Sequence, residues 1–292
     1  MPNVNETLAR TARVVVGVDQ SHNAAVAADW AAGVALARDE MLTLVAAIDL
    51  PTTAGSPHEP TAAIGAWHSQ GRAVLSETSA RLAAKYPKLR IETDLSDREP
   101  VDILTELSKD ADLVVTGTRG HGGFTGMLLG SVSHRVAAHA HCPLVVVPEE
   151  QGAEVRREVV LGLDRDEDPA PIDFAFETAA RLALSVRAVR AFAPIELHPG
   201  LEVGDVDSGR REAVAAMENL LHQARERYPD VPVSFEAESG NSAAVLLAVG
   251  RGARLVVVGA RRHQRHLWIR PGYTVLGLLS RSEVPVAVVP IQ

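Results

Sequence analysis

The sequence is poor in aromatic residues, cysteine and positive charge, and each shortage excludes a class of protein. Phe, Trp and Tyr make up 4% of the 292 residues while 46% are hydrophobic, so the core must consist of Val, Leu, Ala and Ile. The single cysteine, Cys142, excludes an internal disulfide framework and is typical of a reducing compartment. The net charge of −8 argues against a general nucleic-acid-binding protein.

Long apolar runs are also missing. No uninterrupted apolar stretch approaches the ~20 residues that a membrane-spanning helix needs. Residues 1–13, MPNVNETLARTAR, lack the apolar core of a signal peptide. We therefore expect a cytoplasmic protein that has neither a membrane nor nucleic acid as a partner. Cys142, which precedes Pro143 before an apolar run, is expected to be a small buried hydrophobe.

Apolar strand-like segments alternate with helix-like segments through the first half of the chain. Alternation of this kind predicts a parallel sheet with helices on both faces. The predicted strands are residues 13–18, 42–48, 89–95, 113–116 and 144–147. The predicted helices are residues 23–37, 67–86 and 101–108 and one that begins near Ser131, and a loop rich in Pro, Gly, Ser and Thr spans 51–60.

The second half of the chain repeats the first. Gly259, Gly272 and Pro285 each lie 142 residues after a matching Gly117, Gly130 or Pro143. Three matches at one offset indicate an internal duplication. The polar segment 149–158, EEQGAEVRRE, is the natural linker. We therefore predict two domains, residues 1–150 and residues 156–292.

Residues 112–148 combine the features of an anion-binding segment. They are predicted to form a strand, a loop rich in glycine, a helix and a second strand. Glycines let a backbone approach a ligand closely, and the N–H groups at a helix start favour a phosphate. Ser131 and Ser133 stand where the helix should begin, and serine is a good N-cap. No Gly-Lys-Ser/Thr follows, which excludes a Walker A loop, and no dinucleotide fingerprint follows the first strand.

The spacing of these glycines resembles a known pattern. Gly117-x2-Gly120-x9-Gly130-Ser131 fills every defined position of G-x2-G-x9-G-[ST], the ATP-binding pattern of the universal stress protein family. The following GSVS and HAHCPLVVVP are also similar to that family. The resemblance covers both halves of the chain. It implies an α/β fold of two tandem doubly wound domains, each a five-stranded parallel sheet of order 3-2-1-4-5 with helices on both faces.

The family resemblance also implies ATP between strands 1 and 4, and we expect Mg²⁺ to bridge its phosphates. In such sheets, ligands lie outside the carboxyl ends of the strands where the strand order reverses. Asp19 would accept a hydrogen bond from the ribose or adenine, and Ala47 would contact the adenine through its backbone. Gly117 would allow the ligand to approach the backbone closely near the ribose. The phosphate-binding candidates are Gly120, Gly130, Ser131, Val132 and Ser133, with Arg119 and His121 as further candidates.

Each of these assignments has a structural alternative. Asp19 could be a capping or turn residue before the first helix. The glycine loop could be a flexible surface connection. Arg119 and His121 could simply be solvated charges at a loop tip.

The second half departs from the pattern. Asp164, Gly259 and Gly272 keep their places, but Arg262 replaces the second glycine and Tyr273 replaces the serine. The arginines of this loop could bind another anion, or one of them could occupy the phosphate position and close the site. The loop could also be a solvated surface or a partner contact. We favour a site that is lost or altered.

No catalytic residue or metal ligand is predicted. The histidines at 134, 139 and 141 do not share one helical face, and His263 and His266 have no Cys or carboxylate nearby. We expect a nucleotide-dependent stress-response regulator with an unidentified protein partner. The alternatives are a slow ATPase or phosphotransferase, which would need a general base that is not evident, and an adaptor that binds no nucleotide.

The two final strands indicate how the halves assemble. LVVVP (144–148) and VAVVP (286–290) would each lie at a sheet edge, and exposed apolar edges invite pairing. The two halves could pair within the chain as a pseudo-twofold monomer. A homodimer is the alternative.

Overall fold

A computed structural model describes residues 13–48, 61–120, 129–149, 155–164, 168–192, 206–261 and 272–291. The first half contains strands β1 (Arg13–Gly17), β2 (Met41–Ala47), β3 (Ile91–Ser96), β4 (Leu113–Gly117) and β5 (Leu144–Val147). Its helices are α1 (His22–Arg38), α2 (Thr61–Lys85), α3 (Pro100–Leu107) and α4 (Ser131–His139).

The second half repeats this order with one additional helix among its described residues. Its strands are β6 (Glu158–Gly162), β7 (Ser185–Phe192), β8 (Val233–Ser239), β9 (Leu255–Arg261) and β10 (Val286–Ile291). Its helices are α5 (Pro169–Leu182), α6 (Val206–Leu220), α7 (His222–Arg227), α8 (Ser242–Gly250) and α9 (Tyr273–Arg281). In the described part of the chain, no helix combines the length and the apolar character needed to cross a membrane.

Several predicted element boundaries differ from those of the structure. Helix α2 begins at Thr61, six residues before the predicted start at residue 67. Glu158, which was assigned to the linker, is the first residue of β6. Its carboxylate lies 2.8 Å from Arg156 Nη1 and 3.0 Å from Arg187 Nη2, and this pairing explains how a charged residue can start a buried strand. The predicted loop at 51–60 and linker residues 150–154 lie outside the described residues.

All ten described strands join one sheet in the order β3-β2-β1-β4-β5-β10-β9-β6-β7-β8. Each half therefore has the predicted order 3-2-1-4-5, and pairing within each half is parallel. The halves meet through β5 and β10, which are antiparallel with Val146 opposite Val286. The predicted pairing of the two final strands within the chain is confirmed.

The core lies in two layers, one on each face of the sheet. Val14 and Val16 of β1 face the layer that includes α1 and α5, whereas Val15 faces the layer that includes α3 and α8. Because both faces are covered, the central strands are mostly apolar, as buried parallel strands are. Cys142 is buried in the second layer, which confirms the prediction for that residue.

Candidate functional site

Asp19 organises the turn between β1 and α1. One carboxylate oxygen, Oδ1, accepts hydrogen bonds from the backbone N–H of Ser21, at 2.8 Å, and from the Ser21 hydroxyl. The Ser21 hydroxyl oxygen in turn accepts from the backbone N–H of Ala24 at 3.1 Å and caps α1. Asp19 therefore has the turn role that was the structural alternative for it, and this role occupies Oδ1.

The other carboxylate oxygen of Asp19 faces Gly120. A Cβ on residue 120 would lie 2.6 Å from Asp19 Oδ2, which is closer than side-chain carbons approach such atoms. The two residues meet because β1 and β4 are neighbours in the sheet, with Val16 opposite Val115. Gly120 is therefore the residue type that leaves room for this carboxylate.

Gly130 packs directly against the segment that follows β4. Its N–H donates to the carbonyl oxygen of Thr118 at 2.7 Å. A Cβ at residue 130 would lie 3.1 Å from that oxygen and 3.3 Å from the Arg119 Cα. We call Asp19, Thr118, Gly120 and Gly130 the strand-end junction. It brings together glycines that the motif separates by nine residues.

Helix α4 starts at this junction with Gly130 as its N-cap. Gly130 has φ −71° and ψ 153°, and in the described part of the chain no side chain caps the helix. The expectation that a serine would cap it was wrong, because Ser131 is already the first helical residue and is exposed. The first backbone N–H groups of a helix have no intrahelical acceptor. Ser131, Val132 and Ser133 therefore present N–H donors at the positive end of the helix dipole.

Ser133 ties α4 to the end of β4. Its buried hydroxyl donates to the carbonyl oxygen of Gly117 at 2.6 Å. That bond uses the hydroxyl proton inside the protein. Ser133 can therefore offer a ligand its backbone N–H, whereas its hydroxyl positions the helix.

Gly117 has a packing role that the sequence interpretation missed. A Cβ at this residue would lie 3.0 Å from the carbonyl oxygen of Asn23 and 3.1 Å from its Cβ. The absence of a side chain at 117 therefore lets the first turn of α1 lie against the end of β4. The sequence signal that could have indicated this contact is Asn23, a polar residue in an alanine-rich helix, which the structure shows to be buried.

The remaining first-half candidates are less central. Ala47 is the half-buried last residue of β2, where it lies opposite Ser96 of β3 at the carboxyl edge of the sheet. Arg119 is exposed, and its Nη2 lies 3.0 Å from Glu149 Oε2. His121 lies outside the described residues.

The corresponding region of the second half is built differently. Gly259 lies inside β9, opposite Val289, and the strand continues to Arg261. In the first half, β4 ends at the matching residue, Gly117. The second half thus keeps regular strand structure where the first half turns toward its glycine loop.

The start of α9 also lacks the packing that is seen at α4. Gly272 is its N-cap, yet no atom of the described residues lies within 4 Å of the position of a Cβ there. Tyr273 follows with 96% of its surface exposed, and Asp164 after β6 is exposed as well. Arg262 lies outside the described residues. The described part of the second half therefore does not reproduce the strand-end junction.

Comparison with known proteins places the chain in a family. The model of the universal stress protein family matches residues 11–148 and again residues 156–290. A universal stress protein of Mycobacterium tuberculosis strain H37Rv is 32% identical over 95% of each chain. A second one from that strain is 30% identical over 85% of this chain and 86% of the relative.

A solved structure agrees with the tandem architecture. The crystal structure of a universal stress protein from Archaeoglobus fulgidus covers 96% of this chain and 98% of its own, with a TM-score of 0.68 at 18% identity. At that identity the likeness concerns the fold. The two matches of the family model and the 32% identical relative show that this chain belongs to the universal stress protein family and carries two tandem copies of its domain.

Proposed function

We propose that the N-terminal half binds ATP at the strand-end junction and that the protein acts as a nucleotide-dependent stress-response regulator. The observation that carries this proposal is the start of α4 beside Gly120 and Gly130, where no side chain of the described residues caps the helix. Backbone N–H donors, a helix dipole and closely packed glycines together form a phosphate cradle.

The proposed roles follow from position. The N–H groups of Gly120 and of Ser131, Val132 and Ser133 bind phosphate oxygens. Gly130 contributes by packing, because its own N–H is bonded to Thr118. Asp19 offers Oδ2 to the ribose or adenine, and the backbone of Ala47 meets the adenine. Arg119 and His121 are secondary phosphate contacts, and Arg119 would first have to leave Glu149.

Magnesium would be held chiefly by the nucleotide. Among the described residues, no group of three or more His, Cys, Asp or Glu side chains could hold a metal ion. Mg²⁺ binds readily through phosphate oxygens and water, with few protein ligands. It would supply charge neutralisation on the phosphates, while the cradle residues orient them.

We propose that the second half, residues 156–292, is an altered copy that binds no ATP, and that residues 1–150 form the nucleotide-binding domain. Asp164, Gly259, Arg262 and Gly272 then have no nucleotide role. The altered copy pairs with the first half through β5 and β10 and offers surface for a protein partner. We place the protein in the cytoplasm, as a pseudo-dimeric monomer.

Calorimetric titration of nucleotide-stripped protein with Mg-ATP tests the proposal. Wild-type protein should bind, and Gly130→Asp should abolish binding, because its side chain would meet the Thr118 carbonyl and add negative charge at the cradle. Gly272→Asp is the matched control at the other helix start and should bind normally. Absence of binding by wild-type protein would favour the adaptor alternative. Sustained phosphate release that Gly120→Ala removes would favour the ATPase.

A further inference from the structure

Asn23 connects the two sides of the strand-end junction. We propose that Asn23 is a positioning residue, which holds the Asp19 turn and the start of α4 at the separation that the nucleotide requires. This inference rests on the proposed nucleotide site and adds a residue outside the glycine motif.

Asn23 is unusual in its surroundings. It is the second residue of α1, and its surface is 4% exposed, in a helix whose buried positions are mostly alanine. Its side-chain oxygen, Oδ1, is buried and accepts no hydrogen bond from the described residues. Burial of an unpaired polar group costs free energy that an apolar residue would not lose. A stability role alone therefore does not account for asparagine at this position.

Asn23 makes two contacts on the β4 side of the strand-end junction. Its carbonyl oxygen and Cβ face the position where Gly117 lacks a side chain, at 3.0 and 3.1 Å. Its amide nitrogen, Nδ2, donates to Thr118 Oγ1 over a long 3.5 Å. Asn23 thus meets the two residues that end β4 and lead to the glycine loop.

Thr118 carries this contact on to α4. Its backbone N–H donates to the Val147 carbonyl at 3.0 Å, and its own carbonyl accepts from the N–H of Gly130 at 2.7 Å. A continuous set of contacts therefore runs from the Asp19 turn through Asn23 and Thr118 to the N-cap of α4. A shift of Asn23 would change the distance between Asp19 and the N–H donors of α4.

The test compares stability and affinity in Asn23→Leu, an apolar replacement of similar size. If Asn23 had only a structural role, its replacement would lower stability and ATP affinity together. We expect the midpoint of thermal unfolding to stay the same or rise. The Kd for Mg-ATP should increase about tenfold, the effect of roughly one hydrogen bond. Thr43→Val is the control, since Thr43 is also buried and its hydroxyl has no hydrogen-bond partner among the described residues, but it lies in β2, outside the strand-end junction. It should leave the Kd unchanged.

Thr118→Val gives a second route if Asn23→Leu does not fold. This substitution removes the hydroxyl that accepts from the Asn23 amide, at a half-buried position. It should also increase the Kd about tenfold. If both residues act through one contact, the double variant should be no weaker than either single variant. An ATP Kd within twofold of wild type in Asn23→Leu or Thr118→Val, or affinity that falls only in parallel with stability, would overturn the proposal.

A readout without nucleotide separates this proposal from the proposed function. Hydrogen exchange of the Gly130 amide reports its bond to Thr118 in the free protein. We expect about tenfold faster exchange in Asn23→Leu than in wild type, because local opening depends on local contacts. Unchanged exchange would overturn the positioning role. If wild-type protein did not bind ATP, the proposed function would fail whatever the exchange result.

Discussion

The carboxylate of Asp19 and the α-carbon of Gly120 face each other so closely that a Cβ on residue 120 would lie 2.6 Å from Asp19 Oδ2. These residues lie in the segments that follow β1 and β4, two strands that are distant in sequence and adjacent in the sheet. The contact brings Asp19 beside the second glycine of the family motif. Residue 120 must therefore be glycine because a side chain there would overlap the Asp19 carboxylate.

Gly120→Ala should therefore weaken ATP binding by displacing the Asp19 carboxylate. We expect a Kd at least about tenfold higher, from the loss of one or more hydrogen bonds to the ligand, measured by calorimetry. If the clash is the cause, Gly120→Ala added to Asp19→Ala should cost no further affinity. A second loss of equal size in the double variant would show that Gly120 acts independently of Asp19.

Gly130→Ala and Gly272→Ala form a matched pair at the N-caps of α4 and α9. The loss of capping preference is the same in both. The new methyl group meets the Thr118 carbonyl at 3.1 Å in the first case and no described atom within 4 Å in the second. We expect Gly130→Ala to be less stable than Gly272→Ala by ~1–3 kcal/mol in urea unfolding, the usual cost of overpacking. Equal stabilities would contradict the close packing at Gly130.

Val146→Pro should weaken the pairing of β5 with β10, which joins the two halves. Val146 is buried in β5 between β4 and β10, opposite Val286, and proline removes a backbone donor that a central strand uses. Val146→Ala keeps the donor and loses only side-chain contacts, so it is the control. We expect Val146→Pro to be the less stable of the two and to have a larger hydrodynamic radius in size-exclusion chromatography. An unchanged radius and equal stability would refute the central role of this strand pair.

The buried carboxyl group of Glu40 should make the free energy of unfolding depend on pH. Burial raises the pKa of this carboxyl above 4.5; Asp112 and Glu177 add to the rise, and Arg38 and Arg181 oppose it. Because the folded-state pKa is the higher one, the contribution of Glu40 to stability is full below about pH 4.5 and is lost as the pH rises through the raised pKa. The stability of Glu40→Gln relative to wild type should therefore increase between about pH 4.5 and 7. Urea unfolding at both pH values measures it, and a constant or decreasing difference would contradict the assignment.

Local patterns were sufficient to predict the alternation of strands and helices and the duplication, whereas the strand order within each half followed from the family resemblance. Apolar runs ending in glycine or proline predicted β4 and β5, and the repeated offset of 142 residues predicted that the second half repeats the strands of the first. The spacing of Gly120 and Gly130 indicated one site, and the two residues do lie within one junction. These features depend on periodicity and chain geometry, which a sequence displays directly.

Other features depend on contacts that no local pattern displays. Gly130 rather than a serine caps α4, because the cap position lies too close to Thr118 and Arg119 for a side chain. The role of Gly117 depends on how closely α1 approaches β4, and the placement of Glu158 depends on arginines brought together by folding. Such arrangements arise only when distant segments pack.

The most direct test of the account is the number of adenine nucleotides that each chain holds. Protein purified under native conditions and saturated with Mg-ATP would be denatured, and the released nucleotide would be quantified by chromatography against protein concentration. We predict about one nucleotide per chain for one competent cradle, and none for Gly130→Asp. A value of about two in wild-type protein would contradict it, because the second half would then bind despite Arg262 and Tyr273.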